Sequence, residues 1–238
     1  MPMTGETLGW GALAASSLVI GALIGLARPW PRQAVGLVLG FGAGALISAV
    51  SFELAQEGVE LGGTTAVAVG LGVGALTYYA AAGLVASRTR GAGAETGAGT
   101  ALALGAFLDG IPEQLVLGIG IASGEGVSVG LLAAIFVSNL PEAVGGASEM
   151  ESAGESRRRV TRLWLVVAAV CALATPVGFA IADTASGELQ GGINGFAAGA
   201  LIVMLVDSMI PEATRQAGRT TGLVTALGFA VASGMSVA

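Results

Sequence analysis

The sequence predicts an all-α integral membrane protein, folded as a single polytopic domain over residues 1–238. Three observations predict this class. Apolar residues make up 54% of the chain and charged residues only 11%, and the mean hydropathy is +0.82, which lies outside the range of soluble domains. All ten basic residues are arginines, and they fall into alternate loops between apolar stretches.

Apolar runs of about 20 residues, the length of a helix that crosses a bilayer core of about 30 Å, recur throughout the chain. The sequence predicts eight such helices, at about 8–27, 34–55, 64–86, 100–122, 127–147, 163–182, 193–214 and 220–237.

The arginines mark the loops between these helices in chain order. Arg28 and Arg32 follow the first helix, and Arg88 and Arg90 follow the third. The fifth helix is followed by Arg157, Arg158, Arg159 and Arg162, and the seventh by Arg215 and Arg219. By the positive-inside rule these loops are cytoplasmic and both termini are extracytoplasmic. We therefore expect a multi-pass protein of the plasma membrane, with the lipid bilayer as its surroundings.

Composition also excludes several functions. A net charge of -6 with all arginines on one membrane face argues against a nucleic-acid partner. We expect that the protein is not an enzyme, since no His-Glu-x-x-His or comparable nucleophile motif appears. We also expect that it uses no cofactor. The single cysteine, Cys171, excludes an internal disulfide. The absence of Lys and His in a chain rich in Gly and Ala is typical of a prokaryotic protein.

Two segments repeat almost identically. Residues 40–47 read GFGAGALI and residues 195–202 read GFAAGALI, and at the same offset Glu57 aligns with Glu212. Because the second predicted helix runs outward and the seventh inward, the copies indicate inverted repeats, the architecture of many transporters. Small residues at this spacing also serve ordinary helix packing.

A second pair of motifs lies in the fourth and fifth predicted helices. Residues 109–114 read DGIPEQ and residues 138–143 read SNLPEA. A proline inside a helix removes a backbone hydrogen bond and displaces a carbonyl, and irregular backbone at mid-membrane depth is tolerated only next to protein or a watery cavity. We expect Pro112 to free the carbonyl oxygen of Leu108 and Pro141 to free that of Val137, in parts of the helices that face protein or a watery cavity.

The acids beside these prolines are candidate metal ligands. Asp109 and Glu113 share a helix face, as do Ser138 and Glu142, because residues four apart lie above one another. Charges at mid-bilayer cost about 2.5–3.5 kcal/mol each, and a bound cation turns the repulsion among carboxylates into ligation. The alternative is that these acids are protonated structural groups.

Other acids are weaker candidates. Glu53, Asp207 and Glu212 are placed where they could line a transport pathway, and solvation at the membrane surface explains Glu212 equally well. The loop acids Glu149, Glu151 and Glu155 are expected to be surface charge.

With these motifs the chain resembles the ZIP (Zrt/Irt-like) family of divalent-metal transporters. The resemblance implies eight spans, both termini outside, and transport of a metal ion into the cytoplasm through a midplane site. In that family the fourth helix typically reads His-Asn-x-Pro-Glu-Gly. The resemblance carries metal-ligand roles to Glu113 and Glu142, to Asp109 and Ser138 where histidines often lie, and to Asn139.

The chain also departs from the family pattern. The sixth helix of the family often supplies a Glu before a Pro, where this chain has Thr175-Pro176, and Gly110 replaces an Asn ligand. The resemblance with these departures implies one oxygen-rich site rather than two metals. Carboxylate and amide oxygens favour harder ions, while zinc also accepts carboxylate. The expected substrate is zinc, with manganese or iron as alternatives.

Three functions stay open at this point. The first is transport of a divalent metal by rocking one helix group against another. The second is a ZIP-like protein with a degenerate site that binds or senses metal without transport. The third is proton-coupled transport of another solute. Gly-xxx-Gly faces, such as Gly21 with Gly25 and Gly70 with Gly74, suit a homodimer, although packing inside one chain uses the same pattern.

Overall fold

The structure, a computed structural model, describes residues 5–89, 94–122, 129–182 and 186–236. These residues form helices and connecting turns, with no strand among them. The helices are α1 Gly5–Ala27, α2 Arg32–Ala49, α3 Glu57–Thr89, α4 Ala94–Ala122, α5 Val129–Ser152, α6 Arg157–Ile181, α7 Gly187–Met204, α8 Ile210–Ala217 and α9 Thr220–Ser236. Three predicted positions lie outside the described residues. They are Arg90, the start of the predicted span 127–147 and the end of the predicted span 220–237.

Five described segments are long and apolar enough to cross a membrane, namely Gly5–Ala27, Arg32–Leu84, Ala103–Ala122, Arg157–Ile181 and Gly187–Ala217. The second of these is 53 residues long and is interrupted at Gly63, whose φ of 79° and ψ of 164° are not helical. Glycine alone adopts this conformation readily, so Gly63 divides the segment into two helices. The molecule is an all-α membrane protein, and the count of eight spans and the orientation stay predictions.

Two segments between helices are π-helical, which the sequence pattern does not predict. The segment Val50–Gln56 connects α2 to α3, and Leu205–Met209 connects α7 to α8. At the offset that aligns Gly40 with Gly195, Val50 aligns with Leu205, so both segments begin at equivalent repeat positions. By contrast, α4 and α5 continue as helices through Pro112 and Pro141. The freeing of the Leu108 and Val137 carbonyl oxygens stays a prediction, because a helix can continue past a proline and still lack one hydrogen bond.

The helices pack in two related sets of pairs. The most extensive contact joins α3 to α7. The repeat makes α2 equivalent to α7 and α3 equivalent to α9, so the contact of α2 with α9 is its counterpart. In the same way, the contact of α4 with α6 corresponds to that of α1 with α5. This correspondence is the relation that the inverted repeat predicts.

The repeated glycines make these contacts close. A side chain on Gly44 of α2 would overlap the carbonyl oxygen of Thr225 in α9, and one on Gly199 of α7 would overlap that of Leu71 in α3. Gly44 and Gly199 occupy equivalent positions in the two copies of the repeat. In both copies the glycine therefore allows the backbones of two helices to approach each other closely.

The glycine faces considered for a homodimer are also used inside the chain. Gly21 and Gly25 lie against backbone atoms of α5, and Gly70 and Gly74 lie against backbone atoms of α7. A packing surface that the chain already covers offers nothing to a second copy. These faces therefore do not argue for the predicted homodimer.

The described residues form two helix groups with separate hydrophobic cores. The first group consists of α1, α4, α5 and α6, with a core around the fully buried Trp164. The second group consists of α2, α3, α7, α8 and α9, with a core around Leu46, Leu201 and Met209. Cys171 is fully buried in the first core.

Two apolar grooves lie where the helix groups meet. One, of about 780 Å³, is lined by residues of α3, α4 and α7, including Leu108, Ile111 and Phe196. The other, of about 470 Å³, is lined by residues of α2 and α5, including Phe41 and Pro141. The helices are thus packed more tightly within each group than at the boundary between the groups.

Candidate metal centre

The candidate metal ligands lie on α4 and α5, which pack against each other inside the first helix group. Glu113 and Asn139 meet at one level of this contact, and Gly105 and Glu142 meet at another. As the numbering rises along α4 it falls along α5, so the two helices are antiparallel. The two Pro-Glu motifs therefore face each other in inverted orientation, as the repeat predicts.

The structure brings Glu113 and Asn139 together. Both side chains are buried, with 3% and 1% of their surface exposed, and Asn139 Nδ2 donates a hydrogen bond to Glu113 Oε2 over 3.5 Å. This orientation leaves Asn139 Oδ1 buried without a hydrogen-bond partner among the described residues. A buried carbonyl oxygen next to a carboxylate is a donor set that suits a divalent cation.

Glu142 is completely buried at the boundary between the two helix groups. Its Oε1 lies 2.8 Å from the position that a Cβ on Gly105 would occupy, and Met204 Cγ of α7 lies 2.9 Å from the same position. The missing side chain of Gly105 therefore leaves the space into which the Glu142 carboxylate fits.

Asp109 lies in register between these two places. On α4, four residues separate Gly105 from Asp109 and Asp109 from Glu113. Each separation is about 6 Å along the helix axis. Glu142 and Asn139 thus contact α4 about one turn on either side of Asp109. The side chains of Asp109 and Ser138 lie outside the part of the chain that the structure describes.

Within the described part, no three His, Cys, Asp or Glu side chains form a group that could hold a metal ion. The described ligand candidates are two carboxylates and one amide, all oxygen donors. Their chemistry fits a metal ion, while the grouping of all five predicted ligands stays a prediction.

Gln114, next to Glu113, points away from this site. Its Nε2 donates to the carbonyl oxygen of Gly11 in α1 over 3.3 Å, and its Oε1 accepts a hydrogen bond from the Thr175 hydroxyl of α6. Gln114 is 1% exposed and Thr175 is fully buried. Thr175, at the position where the sixth helix of the resembled family often carries Glu, is therefore engaged with Gln114.

The acids proposed for a transport pathway lie in or beside the π-helical segments. Glu53 is half-buried in Val50–Gln56, whereas Asp207 is exposed in Leu205–Met209. Glu212 follows at the second residue after Ile210 and accepts hydrogen bonds from Arg215 and Gln216. π-Helical turns often mark functional positions. The sequence feature that relates the two segments is the repeat, which aligns Val50 with Leu205.

The expectation that Glu149 is surface charge is wrong. Glu151 and Glu155 do pair with exposed arginines, Arg157 and Arg159, at 2.6 and 2.9 Å. Glu149 instead packs against α8, and its side chain is 16% exposed. Burial, followed by the neighbouring Glu212 carboxylate, raises the pKa of Glu149 to about 7.

Comparison with known proteins identifies one family. Residues 85–236, more than half of the chain, match the model of the ZIP zinc transporter family. Zinc transporter SLC39A7 of Mus musculus is 28% identical over 123 residues, covering 49% of this chain and 26% of its own length. The Arabidopsis thaliana protein At3g08650, named for zinc transport, is 30% identical over 196 residues, covering 78% of this chain and 31% of its own length. The chain thus spans between a quarter and a third of these relatives.

Proposed function

Because this chain belongs to the ZIP zinc transporter family, we propose that it carries a divalent transition-metal ion across the plasma membrane into the cytoplasm. The family is one of metal transporters rather than enzymes. Zinc is the first substrate, since the curated relatives are named for zinc. Manganese and iron are the alternatives, since every candidate ligand is an oxygen donor.

The buried polar group formed by Glu113, Asn139 and Glu142 supports this proposal most directly. The predicted spans 100–122 and 127–147 that contain it carry no Lys or Arg. Taking carboxylates out of water is costly without a compensating positive charge. A divalent cation would supply that charge and would be held by Glu113 and Glu142, with Asp109 between them in register.

Asn139 has a double role in this proposal. Its amide nitrogen orients the Glu113 carboxylate, and its Oδ1 is directed to the metal or to a water bound to it. Ser138 is a weaker, water-mediated ligand. Hydrogen bonds that orient ligands commonly change metal affinity by about 10- to 100-fold when they are removed.

The arrangement of the helix groups supports a rocking mechanism. All five proposed ligands lie on the first group, and Glu142 is next to Met204 of the second group. The separate cores allow each group to move as a unit, and the apolar grooves at the boundary leave room for a relative shift. Such a shift would open the metal site to one side of the membrane and then to the other.

Uptake into proteoliposomes tests the function. We expect zinc, manganese or ferrous iron to accumulate with the wild-type protein and to fall to background with the double variant Glu113→Gln and Glu142→Gln. Glu188→Gln, which changes an exposed acid at the start of α7, is the matched control and should retain uptake. Wild-type uptake of all three metals at background, or full uptake by the double variant, would contradict the proposal.

The alternative is a protein that binds metal without moving it. The engagement of Thr175 with Gln114 favours this function, because it removes one helix from the set that could hold metal. Equilibrium dialysis with zinc and manganese distinguishes the two functions. Saturable binding that is lost in the double variant, together with no accumulation in vesicles, would select the binding protein.

A further inference from the structure

At the arginine-bearing end of the molecule, side chains from both helix groups meet. Glu149 comes from α5 of the first group, beyond the predicted fifth span, and Glu212 and Gln216 come from α8 of the second. Gln216 Nε2 donates to Oε1 of both glutamates, so one amide nitrogen holds the two carboxyl groups next to each other.

Arg215 lies much closer to Glu212 than to Glu149. Arg215 donates from one nitrogen to both oxygens of Glu212, at 2.7 and 2.5 Å, but the same nitrogen is 3.8 Å from Glu149 Oε2. Its side chain is 65% exposed. The positive charge of Arg32, on α2, also lowers the pKa of Glu149. Among the described residues, the charged groups that act on Glu149 are Glu212 and Arg215 on α8 and Arg32 on α2.

From this geometry we propose that Glu149 and Glu212 form a proton-binding site that holds the two helix groups together. The proton lies between the two carboxyl groups, where Glu149 donates to the Glu212 carboxylate. Loss of this proton leaves two adjacent negative groups, which repel each other across the boundary between the groups. Protonation thus stabilises the arrangement of helices seen in this structure, and deprotonation weakens it.

The electrostatics agree with a site that titrates near neutrality. Burial, the Glu212 charge and the hydrogen bond to Glu212 raise the pKa of Glu149, and Arg215 and Arg32 lower it by less, with a result of about 7. The site lies on the face predicted to be cytoplasmic. The site would therefore respond to cytoplasmic pH. If the chain transports metal as proposed above, an acidic cytoplasm would slow the rocking of the two helix groups.

Infrared spectroscopy of the protein in lipid bilayers tests the site without any transport. In a titration from pH 5 to 9, we expect the wild type to lose a protonated-carboxyl band with a midpoint near 7. This component should be missing in Glu149→Gln and present in Glu151→Gln, the control two residues away on the same helix. Glu212→Gln is a second variant, in which the midpoint should move to lower pH because the repulsion is gone. An identical band in wild type and Glu149→Gln would overturn the proposal.

Vesicle uptake then tests the consequence. Raising the internal pH from 6 to 8 should increase the uptake rate of the wild type and of Glu151→Gln severalfold more than that of Glu149→Gln, whose neutral amide mimics the protonated acid. Equal responses in all three proteins would overturn the coupling to movement. If no variant transports metal at all, the proposed function fails, while the infrared result still decides whether the proton site exists.

Discussion

Asn139 donates a hydrogen bond to Glu113 over 3.5 Å, and this contact joins the two Pro-Glu motifs. The bond crosses from α5 to α4 inside the first helix group, where both side chains are almost completely buried. Because the amide nitrogen is used in this way, the amide oxygen is left for another positive partner. The two motifs therefore act as one polar unit, which a bound metal would complete.

Asn139→Ala should reduce metal uptake by about 10- to 100-fold, because Glu113 loses the group that orients it and the metal loses an oxygen. Uptake of radioactive zinc or manganese into proteoliposomes measures this loss. Asn194→Ala is the matched control, since Asn194 is a buried asparagine of α7 in the second helix group, and it should keep at least half of the wild-type rate. Equal losses in both variants would indicate a general effect of removing a buried amide.

Glu142→Gln should raise the melting temperature of the metal-free protein, since a fully buried carboxylate is replaced by a neutral group of the same shape. A gain of about 1 kcal/mol corresponds to about 2–4 °C for a chain of this size. The same variant should lose the stabilisation that zinc or manganese gives to the wild type. Thermal unfolding with and without metal measures both effects. A lower melting temperature combined with an unchanged metal response would contradict the proposed ligand role.

Gly44→Ala should destabilise the protein by about 1–3 kcal/mol, because its Cβ would overlap the backbone of Thr225 and force α2 away from α9. Gly72→Ala should have the opposite effect. Gly72 of α3 has open space at its Cβ, so alanine there gains about 1 kcal/mol of helix propensity. Thermal unfolding monitored by size-exclusion chromatography compares the two variants. A stabilising Gly44→Ala would show that the repeated glycines do not set helix contact.

Ser138→His should shift the metal preference toward zinc, because imidazole is a softer donor than the oxygens that make up the rest of the candidate site. Competition of zinc with manganese during uptake measures the preference. Ser16→His, on an α1 serine whose hydroxyl donates to its own helix backbone, should leave the preference unchanged. The same competition curve for wild type and Ser138→His would place Ser138 outside the metal site.

Thermal stability should fall as the pH rises from about 4.5 to 7 through the contribution of Glu149. Its pKa is raised from 4.5 to about 7, so in this window the folded protein holds a proton that the unfolded chain has released, and folding is favoured at the acid end. Melting temperatures measured across this range should show a slope that is smaller in Glu149→Gln than in Glu151→Gln. Equal slopes would show that Glu149 titrates like an ordinary surface acid.

Much of the architecture could be read from the sequence because membrane burial acts on composition and spacing. The runs near Leu18, Leu46 and Leu201 are long and apolar, and each lies in a described helix. The match of residues 40–47 with 195–202 predicts an inverted repeat, and in the structure the contact of α2 with α9 is the counterpart of that of α7 with α3. The family resemblance, based on the Pro-Glu motifs, was confirmed by the family comparison.

Other features depend on neighbours that the sequence places far away. The π-helical turns lie at Val50–Gln56 and Leu205–Met209, whereas α4 and α5 continue as helices through Pro112 and Pro141. By its sequence position Glu149 is a loop acid, whereas in the fold it lies beside α8. Gln114 belongs to the DGIPEQ motif, whereas its amide forms hydrogen bonds with α1 and α6. For Glu149 and Gln114, a contact between distant segments decides the surroundings of the side chain.

By itself the sequence determined the helical membrane class, the repeat and the identity of the candidate ligands, because hydrophobic length, glycine spacing and side-chain chemistry are local properties. Only the tertiary structure decided that Asn139 binds Glu113, that Glu142 fits the space beside Gly105, and that Glu149 and Glu212 meet across two helix groups. Those pairings arise from the packing of whole helices, and the free energy of a buried polar group is set by the partners that packing brings within reach.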